Sequence, residues 1–274
     1  MTHAHDHDHD QATGHPSGRP SALAELLDLD ATVLHASWAD VTAWVRRLGD
    51  GIPHRRLLDL GAGTGNGTVA LAQRFLGAEV VALDVSEEML GRVRRRALDL
   101  GLADRVRTVR ADLDAGLPDL EPVDLVWASM SLHEVADPDR VLADAHARLH
   151  PGGLLALVEI DGPVRFLPDD GLEARLTSFP HHGRDWARLL EKAGFEPVAG
   201  RTFDIELAPP HPPAVGRYAH AWFSHLRSAL AGTLDPRDAA RLDALADPHG
   251  PGSALHRDDL VVHGRRTGWV VRRP

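Results

Sequence analysis

The chain contains no cysteine in its 274 residues, which excludes disulfides, thiolate metal sites, iron–sulfur clusters and a cysteine nucleophile together. Lysine is almost as scarce. Lys192 is the single one and follows Glu191 in a helical charge pattern, so imine chemistry would rest on one surface residue. Aromatic residues make up only 5%, with one tyrosine, Tyr218. Apolar runs such as Leu154–Val158 are strand-length, far below the ~20 residues of a bilayer span, so no membrane partner is expected. The start, MTHAHDHDHD, lacks the apolar segment of a secretory signal, and a cytoplasmic protein is expected. Positive charge is in deficit as well, with a formal net charge of −10. The one dense basic cluster, Arg92 to Arg96, reads as a solvated helix face, so no nucleic-acid partner is expected.

A hydrophobic fraction of 43% and a charged fraction of 26% are those of an ordinary globular protein. Residues 1–20 carry His3, His5, His7, His9 and His15 among Asp, Gly and Pro without hydrophobic periodicity, and read as a disordered, solvated tail. Residues 21–274 read as one domain. It opens with two helices over Ser21–Leu48, divided near Asp28–Ala31 and placed to lie over a ligand cleft; Trp38 and Trp44 sit on their apolar face.

Next comes RLLDLGAGTGNGTVALA (Arg56–Ala72): an apolar strand, a turn with Gly61, Gly63, Gly65 and Gly67, and the start of an amphipathic helix. Such a turn leaves the first helical amides facing a ligand. Strands are expected at Glu79–Val85, Val106–Arg110, Asp124–Ser129 and Leu154–Ile160, and helices at Glu87–Leu100 and Pro138–Leu149, the last stopping at His150-Pro151-Gly152-Gly153. The alternation argues for a parallel sheet covered on both faces. Beyond it, Asp161–Pro180 reads as irregular, Arg184–Gly194 as a helix, and Phe195–Leu207 as one or two extended segments. The break Ala208–Pro213 leads into helical Ala214–Ala246, and Asp259–Arg272 is a closing strand. A strand that rejoins the sheet makes residues 208–258 a helical insertion and not a separate unit.

The turn's spacing discriminates between nucleotides. G-x-G-x-x-G counted from Gly61 would end at Asn66, and counted from Gly63 at Thr68. Both registers fail the dinucleotide fingerprint, which argues against nicotinamide-dependent reduction. What stands is D-L-G-A-G-T-G, with Asp84 closing the second strand and Asp112, in RADL, following the third.

This ordered set resembles the class I S-adenosylmethionine-dependent methyltransferases, closely over Leu57–Glu159, including the P-G-G turn before the fifth strand. The resemblance implies a Rossmann-like, doubly wound α/β fold: a mostly parallel sheet with helices on both faces and an antiparallel last strand, plus the N-terminal helices and the helical insertion as a substrate cap. It implies S-adenosylmethionine as cofactor and S-adenosylhomocysteine as product. Gly61, Ala62, Gly63 and Gly65 would hold the methionine end, Asp84 the ribose hydroxyls and Asp112 with Leu113 the adenine, with Asp59, Val85, Met89 and Ser129 also among the cofactor-binding residues. Asp59 has two readings, approach to the methionine amino group through water or hydrogen bonding to amides of the turn.

Methyl transfer needs alignment and water exclusion, and a base only when the nucleophile must lose a proton. His133, in S-M-S-L-H-E after the fourth strand, is the base candidate. The pair His181 and His182 lies in the irregular segment. Glu159 and Asp161 end the fifth strand and are candidates for contact with substrate or a metal, and Tyr218 reads as core or lid. No metal is expected. The missing thiols exclude arsenite and cysteine-based cytosine methylation, and A-S-M-S-L replaces the N-P-P-Y segment of amino methylation. A small-molecule acceptor methylated on O, N or C is left, with a homodimer open. The alternative is a non-catalytic protein that binds S-adenosylmethionine or S-adenosylhomocysteine in a regulatory role.

Overall fold

A computed structural model describes residues 21–51, 54–168, 171–176 and 184–274. Five parallel strands arise where the apolar runs were expected: β1 (Arg56–Leu60), β2 (Glu79–Asp84), β3 (Val106–Arg110), β4 (Val123–Ser129) and β5 (Leu149–Ile160). Strands β6 (Glu196–Leu207) and β7 (Val262–Arg272) complete one sheet in the order β3-β2-β1-β4-β5-β7-β6, in which β7 alone runs antiparallel to its neighbours. Nearly every residue of β1, β2 and β4 is buried, as a sheet covered on both sides requires.

One face is covered by α5 (Pro138–Arg148) and α7 (Trp186–Lys192), packed on Leu58, Leu60, Val126, Leu155 and Leu157. The other is covered by α2 (His35–Leu48), α3 (Asn66–Arg74) and α4 (Glu87–Asp99), around Leu57, Leu71, Trp127 and Val270. Local signals set these helices. The Ser86 hydroxyl accepts the Met89 N–H, with Glu87 and Glu88 in the first turn of α4, and Asp137 caps α5 ahead of Pro138. A third core lies beyond the sheet edge. There α1 (Ala22–Val33) packs against α8 (Ala214–Ala229), with α9 (Pro236–Ala246) and Phe166.

Several boundaries differ from those expected. The first two helices divide at Leu34 and not near Asp28–Ala31, because the helical hydrogen bonds continue to Leu34 N–H on the Asp30 carbonyl. His150–Gly153 does not precede β5 but belongs to it. Leu149 pairs with Val123, a bulge intervenes, and Leu125 resumes on Leu154 while Arg273 brackets Gly152 and Gly153. The stretch Ala214–Ala246 is two helices, since Gly232 takes a φ of +77° and Asp235 caps a fresh start at Pro236. Val85 lies just outside β2, Phe195–Leu207 gives a single long strand, and the irregular segment contains the short helix α6 (Leu172–Leu176). Residues 1–20 and the pair His181 and His182 lie outside the described residues.

Candidate active site

The carboxyl ends of β3, β2, β1 and β4 stand side by side, so the segments leaving them form a row. Its centre is the glycine turn. Gly61 has a φ of +67°, and a Cβ there would come within 2.5 Å of the Ser131 Cβ. Gly65, at +88°, would press a Cβ on the Val93 backbone at 3.0 Å. Side chains are therefore barred by conformation and by space, and the bare backbone lies flat on the sheet edge. The Ser131 hydroxyl donates to the Leu60 carbonyl at 2.7 Å and ties the segment after β4 to this turn.

Asp84 accepts the Gly63 N–H on Oδ2 and the Ser86 N–H on Oδ1, both at 2.8 Å. Each carboxylate oxygen keeps a second lone pair, so hydroxyl donors can still be accepted. Val85 is 56% exposed beside it, and Met89 is buried at the start of α4. At the row's end Asp112 caps a short helical turn through the Asp114 N–H, with Leu113 buried behind it. A glycine cradle flanked by two half-free carboxylates fits a ligand that carries hydroxyl and amino donors, as S-adenosylmethionine does.

Asp59 lies beneath the turn and not in its mouth. It is 2% exposed and accepts the Thr68 hydroxyl at 2.6 Å. Burial, opposed by the bonds from Thr68 and reinforced by the Asp84 charge, pushes its carboxyl up to about 7 from 3.8. The side-chain partner of this acid is thus a hydroxyl of α3, Thr68.

Beyond Ser129, Met130 takes a φ of +53° and donates its N–H to the Val158 carbonyl at 2.8 Å. This left-handed residue turns the chain across β5 and brings His133 to Glu159. Glu159 is 2% exposed; Oε2 stands 2.7 Å from His133 Nδ1 and Oε1 accepts the Leu132 N–H at 3.0 Å. A carboxylate only accepts, so Nδ1 carries the proton. Nε2 stands 3.1 Å from Glu134, which is 76% exposed. Burial works to lower the imidazole pKa, but Glu159 and then Glu134 outweigh it, and the net shift is upward. Arg184 holds the same segment through the Leu132 and Val135 carbonyls.

The helix α1 roofs the turn. Leu27 would stand 3.2 Å from a Cβ at Gly63, and Asn66 donates to the Leu27 carbonyl. Asp28 accepts from Arg92 and Arg96, both at 2.8 Å, and Arg96 also donates to Asn66. Two arginines of the basic cluster are thus clamps between helices, which corrects the reading of a solvated face. Tyr218 donates to Asp30 and not toward His133. Asp161 pairs through its backbone with Arg265. Leu27, Ser131 and Arg184 were missed in the sequence. Ser131 alone carried a signal, lying in the segment singled out for His133. Among the described residues no three His, Asp or Glu side chains converge as a metal site, and no helix is long and apolar enough to cross a membrane.

Comparison with known proteins agrees with this geometry. A methyltransferase-domain family profile matches residues 57–153. An uncharacterized methyltransferase of Synechocystis is 36% identical over 154 residues, 53% of this chain and 69% of that one. The malonyl-[acyl-carrier protein] O-methyltransferase of Halorhodospira halophila is 33% identical over 227 residues, 78% and 74% of the two chains. The fold matches that of a geranyl diphosphate methyltransferase solved with S-adenosylmethionine, with a TM-score of 0.53 and 19% identity over 94% and 93% of the chains. Because relatives sharing a third of their residues extend over most of their own length, and the profile spans β1 into β5, the chain belongs to the class I S-adenosylmethionine-dependent methyltransferases, enzymes that spend this cofactor and release S-adenosylhomocysteine.

Proposed function

We propose that the chain methylates an oxygen, nitrogen or carbon atom of a small-molecule acceptor in the cytoplasm, with His133 as general base and Glu159 positioning it. The observation that carries this reading is the 2.7 Å contact between His133 Nδ1 and the buried Glu159 at the carboxyl edge of β4 and β5. When bound, S-adenosylmethionine supplies an electrophilic methyl group whose leaving group is neutral. In this reading Gly61, Ala62, Gly63 and Gly65 bind its methionine end, Asp84 with Val85 and Met89 its ribose, and Asp112 with Leu113 its adenine, while Asp59 braces the turn and Ser129 walls the cleft.

With the imidazole neutral and the exposed Glu134 turned away, His133 takes the acceptor's proton on Nε2, and Glu159 holds the tautomer and stabilises the imidazolium that results. The helices α1 and α2 form the lid, and the insertion carrying α8 and α9 forms the acceptor cap. Both exclude water while the reactants are aligned. The Halorhodospira relative acts, by its name, on a malonyl group, which supports an acyl-type acceptor over a nucleic acid. The net charge of −10 points the same way. The test is incubation with methyl-labelled S-adenosylmethionine and a chemically varied acceptor panel, read by mass. Labelled small-molecule products are expected. Label found only in protein or nucleic acid, or tight cofactor binding without any product, would overturn the reading.

A further inference from the structure

At the seam between the cap core and the sheet, donors from three elements converge on one carboxylate. Asp30 of α1 accepts Trp38 Nε1 of α2 on Oδ2 at 3.1 Å. Its Oδ1 accepts the Tyr218 hydroxyl of α8 at 2.7 Å and Arg266 Nη2 of β7 at 2.6 Å. Arg266 lies over the Trp38 ring, with Cζ 5.3 Å from its centroid, and its side chain is 3% exposed. Its Nε is buried and has no hydrogen-bond partner among the described residues. A buried donor of a charged group left without an acceptor is costly and calls for a partner.

The node is linked to the cofactor turn through α1 and lies at the same edge of the sheet. Arg266 pairs with Ile160 at the carboxyl end of β5, the edge on which the glycine turn and His133 lie. Asp30 follows Leu27, the side chain over Gly63, by three residues, about 4.5 Å along the helix axis. Charge then selects what the free donor can take. Arg266 and Asp30 cancel. Tyr218 is neutral, since burial and the Asp30 charge hold its hydroxyl well above the ordinary range against the opposing effect of Arg266. A carboxylate added here would be an uncompensated buried charge, whereas an uncharged oxygen satisfies the donor without one.

We propose that Arg266 Nε–H is a recognition donor for the methyl acceptor and binds an uncharged oxygen, carbonyl or hydroxyl, while Asp30 and Trp38 hold the guanidinium in place. This rests on the small-molecule reading above and narrows its substrate class. Arg266→Lys keeps a cation for Asp30 and removes Nε–H. With the best acceptor of the panel, its KM should rise about thirtyfold, the loss of one hydrogen bond from a charged donor, with kcat and S-adenosylhomocysteine affinity nearly unchanged. An unchanged KM in a variant that still binds the cofactor product would overturn the proposal.

A second measurement needs no turnover. In the S-adenosylhomocysteine-loaded chain, the Arg266 Nε–H resonance, assigned by its loss in Arg266→Lys, is followed by nitrogen-edited NMR. Acetophenone or 2-naphthol should move it, and benzoate or 2-naphthoate should not. If no probe moves it, or the carboxylates alone do, the assignment is wrong. An acceptor panel without product, with the resonance still responding to the neutral probes, would count against the catalytic reading and leave this site standing.

Discussion

Asp84 Oδ2 accepts the Gly63 N–H at 2.8 Å, so the acid that ends β2 closes the glycine turn over its own strand. The same carboxylate holds the first amide before α4 through Ser86. Turn, strand and helix are thereby fixed by one side chain with lone pairs to spare.

Asp84→Asn keeps the shape but replaces one acceptor oxygen by a donor and removes the charge. Calorimetry with S-adenosylhomocysteine should show a loss on the order of 2 kcal/mol, roughly thirtyfold in Kd. Wild-type affinity in this variant would show that the carboxylate serves the turn alone.

Asp59 gives the fold a pH dependence of unusual sign. Its folded pKa, about 7, lies above the ordinary 3.8, so the folded state holds a proton that the unfolded chain releases. The stabilisation is complete below the ordinary carboxylate value and is lost as pH rises toward 7, by roughly 4 kcal/mol at most from 1.36 kcal/mol per pKa unit. Asp59→Asn cannot titrate. The wild-type Tm should fall relative to that of Asp59→Asn between about pH 4.5 and 7.5; parallel curves would refute the shift.

The roof over the turn is held by Asp28, which bridges Arg92 and Arg96 across half-exposed positions. Asp28→Ala should cost only about 1 kcal/mol in unfolding experiments, as partly exposed ion pairs do. Release of S-adenosylhomocysteine, followed by stopped-flow tryptophan fluorescence, should nevertheless quicken about tenfold. Equal release rates would mean that α1 does not cover the ligand.

The centre of the sheet was legible because β1, β2, β4 and β5 are rich in apolar residues and the helices begin at Ser86, Asp137 and similar caps, signals that depend on neighbours in sequence. The β5 bulge was not, because His150–Gly153 reads as a stop and becomes strand only when Arg273 arrives from the far end of the chain. The site divides in the same way. Gly61, Asp84 and His133 stand at fixed offsets from strands. The partners that give them meaning, Ser131 on Gly61 and Glu159 on His133, are brought up by the pairing of β4 with β1 on one side and β5 on the other. Arg266 carried no local signal at all, since its surroundings come from α1, α2 and α8.

The role of His133 is tested most directly by the pH dependence of kcat/KM in the wild type and Glu159→Gln, with cofactor affinity measured in parallel. Glu159 holds the imidazole pKa above its ordinary 6.5, so the wild-type rate should climb through a pKa above that value. In Glu159→Gln the climb should move to lower pH and reach a lower plateau, with S-adenosylhomocysteine binding unchanged. Superimposable profiles, or a His133→Asn variant with full activity, would contradict the assignment of His133 as the base.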